Sequence, residues 1–166
     1  MRRIIISAAA AAAIAFMATG ALAKKTQVFR AAGGTNVAPV GLSIDASYDQ
    51  RFDGFIPGYK VINVAMINQS FNIIYLDPEK DRWSVKFAGK SKPVIATHDL
   101  RRSDPKAWSE LPEKTKNLLA YPLFLPVGAR QVIDVFVPDT VDVAAFNEVS
   151  IYLKSLDARI EILARQ

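Results

Sequence analysis

The stretch Asp99-Leu100-Arg101-Arg102-Ser103-Asp104-Pro105-Lys106-Ala107-Trp108 brings carboxylates, guanidinium groups and an indole close together in the chain. Two kinds of chemistry use such groups. Asp99 and Asp104 would be the acid and base of a carboxylate hydrolase, but paired catalytic acids generally flank a cleft from separate elements. Both lie on one loop here, so hydrolysis is the least favoured reading. Arginine and tryptophan also dominate the energetics of protein interfaces. Arg101, Arg102 and Trp108 are therefore the predicted binding residues. The competing reading has Trp108, Leu111, Leu118 and Leu119 capping an open end of the fold.

A second aromatic group, Phe52, Phe55 and Tyr59, flanks the turns Asp53-Gly54 and Pro57-Gly58. Rings on such a loop suit a protein anchor or a stack against a sugar face. This supplies the alternative function, a carbohydrate-binding domain in which Trp108, Trp83 or Phe55 stacks on sugar rings while Asp and Asn side chains bond hydroxyls. Asp77, Glu79 and Asp81 place carboxylates at alternate positions, a spacing that offers oxygen ligands to Ca²⁺ if the loop curls around an ion. Pro78 and the lack of a glycine at the bend oppose the helical calcium-loop motif, so a solvated turn is the default. His98 is the single histidine. Catalytic and metal-bound histidines work with partners, so a surface or loop position is expected.

Composition removes several further classes. With no cysteine, thiol catalysis, cysteine zinc sites and haem attachment are excluded together. No serine nucleophile elbow, Ser-x-x-Lys motif or glycine-rich phosphate loop occurs, and nothing in the pattern calls for a cofactor. The formal charge is +5, of which Arg2 and Arg3 contribute two. The remaining basic residues are scattered among acids with no continuous stripe, which makes nucleic acid and an anionic membrane surface poor matches on composition.

The elements that must position these residues follow a charged start, Met1-Arg2-Arg3, an apolar run from Ile4 to Ala18, and small residues at Ala21 and Ala23. These are the three parts of a bacterial signal peptide with cleavage after Ala23. A retained anchor is the rival reading, weakened by alanine richness and marginal length. Residues 24–39, with Ala31-Ala32-Gly33-Gly34, read as a flexible N-terminal arm. From residue 40 onward, alternation such as Val40-x-Leu42-x-Ile44-x-Ala46, and β-branched runs such as Tyr59–Asn68 and Gln131–Val137, repeat between turns. Asp104-Pro105 and Pro112-Glu113 start one or two short helices within about 99–119.

The expected fold is all-β, an immunoglobulin-like antiparallel β-sandwich of about eight strands over residues 40–166 with that helical insertion. The expected function is a non-enzymatic binding module, periplasmic or secreted, whose partner is an envelope protein. No membrane insertion is expected after signal cleavage.

Overall fold

The structure, a computed structural model, describes residues 26–37 and 40–163. The predicted signal peptide, residues 1–23, lies outside them. The described residues fold as a mostly β domain. In chain order the strands are β1 (Gln27–Ala32), β2 (Asn36–Val37), β3 (Leu42–Tyr48), β4 (Tyr59–Asn68), β5 (Ile74–Tyr75), β6 (Arg82–Phe87) and β7 (Val94–Ala96). Three short helices follow, α1 (Leu100–Ser103), α2 (Pro105–Glu110) and α3 (Glu113–Leu118), then β8 (Phe124–Leu125), β9 (Arg130–Pro138), β10 (Phe146–Leu153) and β11 (Ala158–Leu163). β2, β5 and β8 are only two residues long, which accounts for the surplus over about eight expected strands.

Strand order is β1-β11-β10-β6-β7 in one sheet and β2-β3-β4-β9 in the other, with β5-β8 a separate ribbon. Period-two alternation decides which faces meet. Ile62, Val64 and Met66 of β4, Leu42 and Ile44 of β3, and Ile133, Val135 and Val137 of β9 point inward from one sheet. Trp83, Val85 and Phe87 of β6, Val149, Ile151 and Leu153 of β10, and Ile160 and Ile162 of β11 point inward from the other. These side chains form one shared core, and each contributes about 1.5–3 kcal/mol on burial. Thr97 and Phe136 exchange backbone hydrogen bonds, stitching the β7 edge to the β9 edge.

Two expectations are corrected here. The segment read as a flexible arm is strand over much of its length. β1 pairs in parallel with β11, from Gln27 opposite Ala158 to Ala32 opposite Leu163, and Phe29 and Ala31 pack on the core. The first sheet is therefore mixed, not purely antiparallel. Gly33 and Gly34, which suggested flexibility, instead carry the chain from one sheet to the other. Gly34 has φ +77°, and a Cβ on Gly33 would stand 2.6 Å from an Asp45 carboxylate oxygen, so glycine is required by the crossing itself.

Candidate functional site

The helical insertion is built as its sequence suggests. The Asp104 carboxylate accepts from the Ala107 amide at 3.0 Å and Pro105 opens α2, so both start signals act locally. The second carboxylate oxygen of Asp104 accepts from the Tyr59 hydroxyl at 3.1 Å, tying the insertion to β4. Beneath it, Leu100 and Leu111 join Ile56, Val61 and Phe136 in a small apolar cluster on the outer face of the β4–β9 sheet, with half-buried Trp108 packed against them. Trp108 thus has the capping role as well as a partly open face.

That open face lines a groove of about 560 Å³ with Arg101, Glu113, Lys116, Asn117 and Tyr121. Lys116 is held by Glu113 at 2.8 Å, while Arg101 is exposed at the rim. Arg102 points elsewhere: its guanidinium pairs with Glu79 at 2.9 Å, over a separate depression that also meets Trp83 and His98. The structure therefore brings Arg101 and Trp108 together and separates Arg102 from them. Phe52 and Phe55 are about half exposed on the loop before β4 but do not line the groove. Tyr59 is absorbed into packing, edge-on to Phe136.

The calcium reading is corrected, because the three carboxylates do not converge. Asp77 caps its own turn, accepting from the Glu79 and Lys80 amides, and pairs with Lys80, whose ammonium and hydrogen bonds hold its carboxyl below the usual range. Glu79 faces Arg102. Asp81 is fully buried and accepts from the Asp77 amide, the Tyr121 hydroxyl and the Lys154 amide at 2.8, 3.1 and 2.9 Å. Among the described residues no group of three His, Asp or Glu side chains is placed to hold a metal. Asp99 and Asp104 form no facing pair either, since Asp104 is committed to its cap and to Tyr59.

His98 is not a surface residue. It is 7% exposed, donates through Nε2 to the Pro78 carbonyl at 3.1 Å, and lies against the Tyr121 ring with centroids 4.3 Å apart. Burial holds its pKa below the ordinary histidine value, against the opposing pull of the Pro78 bond and of Asp81 and Asp99. Trp83 is 2% exposed in the core, with no hydrogen-bond acceptor for its indole N–H, so it offers no platform to a sugar.

Sequence reasoning missed a second surface. Phe71 to Leu76 reads as a strand, yet only Ile74–Tyr75 pairs. Buried Asn68 explains the difference. Its amide donates to the Asn72 and Leu125 carbonyls, and its oxygen accepts from the Ser70 amide and hydroxyl. This bends the chain and leaves Phe71 98% exposed. Ile73, Tyr75, Leu123 and Phe124 are exposed beside it on the β5–β8 ribbon and its flanks. The available signal was the polar run Asn68-Gln69-Ser70 between two apolar ones. No protein-family model, curated protein or solved structure matches this chain.

Proposed function

We propose that this chain is a non-enzymatic binding module, exported from a bacterial cell to the periplasm or beyond, that holds an envelope protein in the groove of its helical insertion. The observation that carries this reading is the groove itself. It combines a partly open tryptophan, a tyrosine and an exposed arginine on one concave surface, the residue types from which interface hot spots are built. The export reading rests on residues 1–23. With Glu113 pairing Lys116, the remaining lining charges are Arg101 and Asp99, which suits a partner segment presenting both a hydrogen-bonding group for each and an apolar side chain for Trp108.

The finer fold reading belongs with this proposal. We read the two sheets as an immunoglobulin-like sandwich. In support, the chain crosses between sheets after β4, β7 and β9, while hairpins join β6 to β7 and β10 to β11. The buried Trp83 on β6 fits the central tryptophan of that architecture. In such a fold the insertion between β7 and β9 is a natural place for a recognition loop.

The test is site-specific. A photo-crosslinking amino acid at Asn117, exposed in the groove, is expected to give one discrete adduct with an envelope protein in the producing cell. Adding Arg101→Glu and Trp108→Phe, which keeps most of the packing volume, should cut the adduct at least about tenfold. An adduct indifferent to both changes, or none at all, would overturn the groove as the binding surface.

A further inference from the structure

The backbone groups of an antiparallel strand face its two sides at alternate residues. On β9 the exchange between Phe136 and Thr97 fixes this phase at one end, and the Asn68 amide, donating to the Ala129 carbonyl at 3.0 Å, fixes it at the other. Gln131, Ile133 and Val135 therefore bond to β4, whereas Arg130, Val132 and Asp134 turn their N–H and C=O groups away from it. Among the described residues no backbone group answers these three. The Val132 carbonyl has only the Gln131 side-chain amide, at 3.4 Å. An open strand edge thus runs over 130–134, ended on one side by Thr97 and on the other by the turn at 126–129.

An unpaired edge is a template for another strand, and the side chains on this one are complementary to themselves. Arg130, Val132 and Asp134 stand on the outer face of the sheet, opposite the core residues Ile133 and Val135. Val132 is 51% exposed. Arg130 is exposed and meets no carboxylate among the described residues, while Asp134 is half-buried and accepts only from the Asn63 amide, at 2.6 Å. Burial holds the Asp134 carboxyl above its ordinary range, the condition of a carboxylate lacking a counter-ion. When the edge is laid antiparallel against itself about a twofold axis through Val132, the two valines meet and each Arg130 falls directly opposite an Asp134. A register shifted by two residues loses both matches.

We propose that β9 pairs over 130–134 with β9 of a second copy of this chain, joining two four-stranded sheets into one continuous sheet with an Arg130–Asp134 ion pair at each end of the shared ladder. Such an interface is isologous, so every contact between unlike residues occurs twice. Each of the three edge residues donates one backbone hydrogen bond across the axis and accepts one. Phe136 falls opposite Gly128 of the second copy, where that chain is turning, so Thr97 keeps its place. The inference rests on no part of the groove reading.

Sedimentation velocity of the protein isolated from the producing cell, over a concentration series, is expected to show a monomer–dimer equilibrium. Val132→Pro removes the central donor, and an edge strand tolerates proline where its N–H faces outward, so the dimer should be lost while the domain stays folded. Arg130→Asp sets like charges opposite each other at both ends of the ladder and should weaken association at least about tenfold. Adding Asp134→Arg restores opposite charges and should recover it. The chain has no cysteine, so Val132→Cys gives a readout that depends on none of these variants folding. Hydrogen-bonded antiparallel pairs hold their Cα atoms about 5.5 Å apart, within disulfide reach, and oxidation should link position 132 to itself at least about tenfold faster than Ile95→Cys, exposed on β7. A monomer at every concentration, a dimer indifferent to Val132→Pro, or cross-linking at 132 no faster than at 95 overturns the inference. So does a folded charge-swapped protein that stays monomeric, which would deny the antiparallel register, or pairing of this edge with a different protein while the chain itself remains monomeric.

Discussion

Asp81 accepts hydrogen bonds from three donors on three separate segments, and its partners lie 4, 40 and 73 residues away. Asp81→Ala leaves two backbone amides and the Tyr121 hydroxyl without that acceptor, so it should cost roughly 3 kcal/mol or more. Asp81→Asn, keeping one acceptor oxygen, should cost less. Urea denaturation of both at neutral pH checks this order, and an alanine variant as stable as the parent would deny the carboxylate its anchoring role. His98 yields a pH prediction. Its folded pKa is depressed, so below about pH 6.5 the unfolded chain takes up a proton that the folded chain resists. The stability this site contributes is present above the unfolded value and is lost as pH falls towards the folded one. His98→Gln should flatten the decline in unfolding midpoint between neutral and mildly acidic pH, and an unchanged slope would assign the decline to other groups. Neither role was legible in the sequence. A carboxylate at Asp81 looks like any turn residue until its distant donors are placed around it.

The helical insertion is held by apolar packing more than by charge. Glu79 and Arg102 are both more than half exposed, so breaking their pair should cost no more than about 1 kcal/mol. Leu100 and Leu111 are 1% and 5% exposed, and truncating either to alanine should cost about 2–4 kcal/mol. Chemical denaturation of Glu79→Gln, Leu100→Ala and Leu111→Ala measures the contrast; an ion-pair variant as damaging as the leucine variants would reverse it. At this scale the sequence was informative where the signal is local. Asp104-Pro105 announced α2 because cap and first turn are neighbours in the chain. In the β5 region the local signal points the wrong way: the apolar run Phe71–Leu76 has the composition of a strand, but the buried Asn68 that bends it takes partners from both sides of the loop.

Across the whole molecule, β4, β6 and β10 are interior strands, paired on both sides, whereas β1 and the β5–β8 ribbon each pair along one edge only. Native-state hydrogen exchange should therefore find the amides of β4, β6 and β10 opening only with global unfolding, and those of β1 and β5 exchanging at least about a hundredfold faster. Uniform protection would mean that β1 is as fully integrated as the interior strands. By itself the sequence determined the mostly β class, the inward residues of the long strands and the lack of thiol chemistry, because alternation, turn residues and composition are properties of neighbours or of counts. The parallel pairing of β1 with β11, the burial of Asp81 and His98, the meeting of Arg101 with Trp108 and the gathering of Phe71 with Leu123 were decided only by the tertiary structure. Each joins residues distant along the chain, and which distant segments meet depends on how two sheets close over one core.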